Sequence, residues 1–281
     1  MKLKSVNPYT EKVNWTYDSF SIGKCKTRIK KSRAAFSIWS SLPVEEKTKH
    51  FKTAVEIFRE SADTYAEIIT KEMGKPVRQS KNEVQKCARL CDYYEKNATE
   101  LLRNEIVDIG TKKSYVTFEP LEVIFGIMPW NFTFWQIFGF AIPAMCAGNV
   151  CVLKHASNVP KSALEIENIF LEAGPENVFN TLLIDSKTAM QLIKEELVDG
   201  VSFTGSAGAD SKIGKLAGRS IKPVVLELGG SDPFIVLEDA NIERAAQAAV
   251  KSRFLNTGQS HIAAKRLIVV ENIVADFIKS F

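Results

Sequence analysis

The chain is poor in the residues that most directly announce a chemistry. Its 281 residues include three histidines, at 50, 155 and 261, and five cysteines, at 25, 87, 91, 146 and 151. No cysteines stand as a CxxC pair and none has metal-ligand spacing with a histidine, so no metal site and no disulfide framework is expected. Cys87 and Cys91 share a helix face at i, i+4 and read as packing. Such cysteine usage suits a reducing compartment, and the opening MKLKSVNPYTEK has no apolar stretch of a secretion signal, so the expected location is cytoplasmic. A strong charge bias is missing too: 37 Lys and Arg against 33 Asp and Glu leave +4, which does not argue for a nucleic-acid partner. Internal repeats and low-complexity linkers are absent.

What remains is an ordinary globular composition, 45% apolar and 25% charged, long enough for two domains or one large α/β domain. The one dense basic run, Lys24 to Arg33, precedes Ala34, Ala35, Phe36, Ile38 and Trp39 and reads as the wet face of an amphipathic helix. From Val123 to Leu153 no residue is charged, a run long enough to span a bilayer. Pro129, Pro143, Asn131, Gln136, Asn149 and the glycines at 126, 139 and 148 break it. It divides into a strand (VIFGIMP), a helix (TFWQIFGFAIPAMC) and a strand (NVCVLK), a buried β-α-β unit of a parallel sheet, and no membrane partner is expected.

Upstream, apolar spacing predicts helices over 24–40, 44–73 and 76–103, with Gly74 and Pro76 separating the last two. SYVTFEP (114–120) reads as a strand or extended connector. From 121 the pattern alternates. Strands are expected near 122–128, 149–154, 178–184, 200–204, 223–228, 233–237 and 266–270. Helices are expected near 133–147, 159–173, 187–196, 208–219 and 239–254. This alternation predicts a doubly wound parallel sheet. The last segment, ENIVADFIKSF, reads as an amphipathic helix.

In such sheets, chemistry gathers at the carboxyl ends of strands. Asn131 follows the first strand of the uncharged run and carries an amide N–H that suits a developing oxyanion. Lys154 and Ser157, three apart beside a helix start, suit a ribose hydroxyl or a phosphate. Gly205-Ser206 opens the next helix, where free N–H groups favour a pyrophosphate. Glu227 ends an apolar strand two residues before Gly229-Gly230, and His261 lies in a loop of Asn, Thr, Gly, Gln and Ser. Each feature alone is commonplace, but their succession at consecutive strand ends points to a nucleotide site.

The strings PWNFTFWQ, LKHASNVP, FTGS, VVLELGGSDPFIVLEDA and NTGQSHIAAKR, in this order and spacing, closely resemble aldehyde dehydrogenases, above all their succinate-semialdehyde dehydrogenase branch. The resemblance covers essentially the whole chain. It implies an α/β aldehyde-dehydrogenase-like fold: N-terminal helices with a connector (1–120), a Rossmann-like domain binding NADP or NAD (121–226), and the start of a catalytic lobe (227–281). It also implies an aldehyde substrate, NAD(P)-dependent oxidation to a carboxylic acid, and homo-oligomerisation through segments this chain does not contain. By the same resemblance Asn131 is the oxyanion donor and Glu227 the general base. Met128, Trp130, Lys154, Ser157, Gly205, Ser206 and Gly229 form the cofactor-binding set. Family chemistry runs through thiolate attack on the aldehyde, hydride transfer to the nicotinamide and hydrolysis of the thioester.

Several positions depart from that pattern. His261 stands where the family has its nucleophilic cysteine, and an imidazole has no thiolate form. Asp210 replaces the second glycine of the pyrophosphate turn. Ser157 stands where NAD-preferring members often carry Glu, which leaves NADP open. Glu122 replaces a usual Gly, and Gly139 replaces the Arg with which the most similar relatives pair a substrate carboxylate. These departures raise a second expectation, a catalytically inactive nucleotide-binding remnant or a regulatory partner of a complete paralogue.

Overall fold

The computed structural model describes residues 1–110 and 114–281, and all of Ala207 but its side chain. The chain divides into two compact units, Met1–Glu227 and Leu228–Phe281.

The first unit opens with an antiparallel hairpin, β1 (Lys2–Val6) and β2 (Val13–Asp18). Helices α1 (Ile22–Ser41), α2 (Val44–Glu60), α3 (Ala62–Met73) and α4 (Val77–Leu101) follow. The single helix expected over 44–73 is two: the chain turns at Ser61, and the apolar rows of α2 and α3 each serve their own packing. Gly74 ends α3 in the left-handed region, φ 85°, with the Pro8 ring packed where a Cβ would stand, so both conformation and space require glycine. The Lys24–Arg33 run is not simply a wet face. Arg28 pairs with Glu167, and Arg33 pairs with Asp199 at 2.5 Å and with Glu122 at 2.9 Å, tying α1 to the sheet's periphery. Asp199 also accepts from the Val123 N–H at 3.0 Å. Glu122 itself has φ 105°, a conformation that strains a residue with a Cβ and explains why glycine suits this position.

A two-residue antiparallel pair, β3 (Glu105–Ile106) with β4 (Tyr115–Val116), precedes the main sheet. That sheet alternates β5 (Val123–Met128), α5 (Trp135–Cys146), β6 (Val150–His155), α6 (Pro160–Ala173), β7 (Phe179–Thr181), α7 (Ser186–Leu192), β8 (Gly200–Gly205), α8 (Ala207–Arg219) and β9 (Val224–Leu228). Its strand order is β7-β6-β5-β8-β9. β5 runs parallel to both β6 and β8, and β6 to β7. The order reverses at β5, so right-handed crossovers place helices on both faces and open a crevice at the strands' carboxyl ends. Every residue of β5 and β6 is buried, as the continuous apolar run requires. Gly126 permits close packing, because a Cβ there would strike the Phe140 ring. Two expected elements are shorter, β7 and α7. Leu182, Leu183 and Ile184 are buried outside the strand, and α7 stops at Leu192.

Aromatic rings join helices to sheet. Phe58 meets Phe138 at 4.9 Å, Phe138 stacks on Phe170 at 5.0 Å, and Phe170 stacks on Phe179 at 4.4 Å. Each such ring contributes about 2–3 kcal/mol through burial. All five cysteines are buried in this unit. Burial pushes the Cys25 thiol up to about 11 and the Cys146 thiol up to about 12, and those of Cys87, Cys91 and Cys151 also rise. None is poised as a thiolate.

The second unit pairs β10 (Pro233–Val236) in parallel with β11 (Arg266–Val269) across the crossover helix α9 (Ile242–Phe254), and ends in α10 (Val274–Ser280). α9 starts at 242 rather than near 239, where Asn241 caps it by accepting from the Arg244 N–H at 3.0 Å. Val236, Ala246, Ala249 and Phe277 form its small core. No helix of the described residues is long and apolar enough to cross a membrane.

Candidate functional site: a crevice at the carboxyl ends of the sheet

The carboxyl ends of β5, β6 and β8 border a cavity of about 230 Å³. Met128, Lys154, Gly205 and Ser206 line it, so four of the expected cofactor residues meet at one place. α7 and α8 add Ser186, Met190 and Ile213, which the sequence reading did not single out. The remaining expected residues of this unit stand in the turns after the strands: Trp130 and Asn131 after β5, Ser157 after β6, all half-buried. Glu227 lies exposed near the end of β9. Gly229 and His261 belong to the second unit and are likewise exposed.

Lys154 is buried at 6% exposure, and desolvation lowers its pKa while Asp185 acts in the opposite sense. Among the described residues no carboxylate forms a salt bridge with this ammonium, a setting that favours a negatively polarised guest. α8 begins after Ser206, whose own side chain makes no capping hydrogen bond. Asp210, one turn in, is buried and its carboxylate accepts from the Ser211 N–H, so it serves the helix's own backbone. Gly205 lets the turn pass tightly over the Phe203 ring, where a Cβ would collide.

The loop carrying Trp130 and Asn131 is fastened from beneath. Glu83, on α4, accepts from the N–H groups of Phe134 at 2.8 Å and Trp135 at 3.0 Å, the first free donors of α5. Its other oxygen pairs with Lys75, whose side chain is 1% exposed and whose ammonium lies 5.1 Å from the Phe132 ring centroid. On the other flank, the Nε2 of His155 lies 2.9 Å from the Thr133 carbonyl and its Nδ1 3.4 Å from that of Met128. Burial depresses the His155 pKa to about 4, so the ring is neutral near pH 7 and donates its single N–H to the closer oxygen, that of Thr133. Sequence reasoning missed Glu83 and His155. His155 carries a signal, a polar ring at an all-buried strand end, whereas Glu83 carries none because the N–H groups it caps lie 51 and 52 residues further along the chain.

Other helix starts around the sheet are occupied by internal carboxylates. Glu72 receives the N–H groups of Lys161 at 3.0 Å and Ser162 at 2.8 Å, with the Ser162 hydroxyl at 2.6 Å. Burial nonetheless raises its pKa. Asp185 accepts from the Thr188 N–H at 2.8 Å at the start of α7, and that bond lowers its pKa.

In the second unit, the loop around His261 follows α9 through Asn256, Thr257 and Gly258, at φ 55°, 57° and 73°. A left-handed Thr is strained because its branched Cβ crowds the backbone. Asn256 is buried and donates to the Gln259 carbonyl at 3.3 Å, and the Ser252 hydroxyl accepts from the Ala264 N–H at 3.1 Å. Ser260 buries a hydroxyl that has no partner among the described residues.

The chain belongs to the aldehyde dehydrogenase family, whose model matches residues 1–281. A probable NADP(+) succinate-semialdehyde dehydrogenase of Synechocystis sp. is 42% identical over 280 residues, covering 99% of this chain and 62% of that protein. An NADP(+) succinate-semialdehyde dehydrogenase of Mycobacterium avium is 38% identical over 286 residues, covering 100% and 61%. Among solved structures, the succinic semialdehyde dehydrogenase of Streptococcus pyogenes in complex with NADP+ superposes with a TM-score of 0.95 at 33% identity, over 99% of this chain and 62% of that one. The chain thus spans about three-fifths of the length of these relatives.

Proposed function

We propose that this chain binds NADP+ or NAD+ in the crevice at the sheet's carboxyl ends and serves NAD(P)-dependent oxidation of an aldehyde, of the succinate-semialdehyde kind. The observation that carries this reading is the cavity where Met128, Lys154, Gly205 and Ser206 converge. The dinucleotide, when bound, supplies a hydride acceptor. Lys154 offers its ammonium to the ribose or phosphate side, and the start of α8 offers N–H groups to the pyrophosphate. Trp130 and Ser157 extend this surface, and Gly229 leaves backbone space next to Glu227. Asn131 presents its amide to the aldehyde oxygen, where it stabilises developing negative charge. Glu227 takes the proton from the attacking group. The Rossmann-like part of the chain corresponds to 121–226, with the catalytic portion beginning at 227.

A second reading, dinucleotide binding without turnover, is favoured by His261 at the nucleophile position. An imidazole there cannot form the thioester on which family chemistry depends, and loss of covalent catalysis costs orders of magnitude in rate. Two measurements separate the readings. Calorimetric titration of the chain with NADP+ and with NAD+ tests the shared claim, and no binding of either at millimolar concentration refutes both. NAD(P)H production from succinate semialdehyde by His261→Cys alongside the unaltered chain tests turnover. Activity confined to the Cys variant supports the binding-only reading, and activity in the unaltered chain refutes it.

A further inference from the structure

His155 is a buried titratable group that the proposed chemistry leaves unused, and it stands where the floor of the cavity meets the Trp130–Asn131 loop. It is the last residue of β6, paired in register with Met128, the last residue of β5. Lys154 and Ala156, its neighbours on either side, both line the cavity, as does Met128. After Met128 the chain leaves the sheet, runs through Pro129, Trp130, Asn131 and Phe132, and reaches Thr133, which is buried.

The imidazole spans the two ends of that loop. Its Nε2–H donates to the Thr133 carbonyl at 2.9 Å, and its Nδ1 stands 3.4 Å from the Met128 carbonyl. Thr133 passes the connection on, its hydroxyl donating to the Trp130 carbonyl at 3.1 Å. His155, Met128 and Thr133 are all buried, so water does not compete for these bonds. A buried carbonyl that loses its donor is costly, and the loop recovers that cost only by moving. A relay of hydrogen bonds therefore joins β6, which carries Lys154, to the residue that carries the indole.

We propose that His155 is a positioning residue for the dinucleotide: through Thr133 it fixes the Trp130 backbone relative to Lys154 and Met128. The inference rests on the cofactor reading above, and His155 itself touches no cofactor atom. Leucine at 155 fills similar space but leaves the Thr133 carbonyl without its donor. A glutamine amide carries an N–H to the place of Nε2.

Fluorine NMR of the full chain labelled with fluorotryptophan reads the loop without any ligand, with the Trp130 resonance assigned by Trp130→Phe. Calorimetry with NADP+ and with NAD+ reads binding. The unaltered chain and His155→Gln are expected to share one sharp Trp130 resonance and the same dinucleotide affinity. His155→Leu, kept where circular dichroism shows it folded, is expected to shift or broaden that resonance and to weaken binding roughly tenfold. Thr133→Val is expected to give the same pair of changes and to add little to His155→Leu, since both break one relay. It carries the test by itself if His155→Leu does not fold. The proposal is overturned if the Trp130 resonance is unmoved in the folded variants, if affinity is unchanged where the resonance moves, or if His155→Gln behaves like His155→Leu. No binding of either dinucleotide by the unaltered chain removes the cofactor reading and this inference together. Binding that is equal in every variant removes the inference alone.

Discussion

Two loops of this chain are built on opposite terms. The Trp130–Asn131 loop sits on a buried ion pair and a neutral histidine, with its carbonyls and N–H groups matched to partners from α4 and β6. The loop around His261 holds itself through short local bonds, carries a left-handed Thr257 and buries the unpartnered Ser260 hydroxyl. The first is over-determined by long-range contacts, and the second stores strain of the sort that collects at functional positions. The difference teaches that one loop is fixed by partners far away in the chain, while the other carries its strain within its own backbone.

Breaking the support should have the largest effect. Glu83→Ala removes the carboxylate that pairs with the buried Lys75 ammonium and uncaps α5, and is expected to cost about 3–5 kcal/mol in urea unfolding. Lys75→Met combined with Glu83→Leu should restore much of that loss if the charges themselves, rather than the capping bonds, set the cost. His155 gives the next effect, and its sign follows from a folded pKa of about 4 below the usual 6.5. The unfolded chain gains this proton first on acidification, so the stabilising contribution is full above pH 6.5 and is lost as pH falls towards 4. The loss is on the order of 3 kcal/mol. His155→Asn should flatten that part of the stability–pH curve, and an unchanged slope between pH 6.5 and 4 would contradict the neutral-ring assignment. The smallest effect belongs to the strained loop. Thr257→Gly is expected to cost nothing and to gain up to about 1 kcal/mol, because relief of the left-handed Cβ outweighs the added chain entropy. A loss above that size would show that the Thr side chain, not its backbone, holds the loop.

Much of the sheet was readable because β5 and β6 are buried on every residue, so their apolar runs stand out against the breaks at Pro129 and Asn149. The N-terminal hairpin was not. Of β1 only Leu3 and Ser5 point inward, and a single apolar residue gives no alternation to detect. The break at Ser61 was hidden because apolar spacing runs on through it without Gly or Pro. For the site, Lys154, Gly205 and Ser206 were legible as strand-end residues that line the cavity. Ser186 and Met190 were not, since only the return of α7 to the crevice brings them there. Arg33, read as solvated, was misjudged because its partners Glu122 and Asp199 are remote in the chain.

The carboxylates at the helix starts carry one more consequence. Glu83, Glu72 and Asp185 already sit on the N–H groups that open α5, α6 and α7. α8 also carries a buried carboxylate in its first turn, Asp210, which accepts from the Ser211 N–H. A carboxylate on those N–H groups holds the helix start in place and at the same time closes it to a second anion.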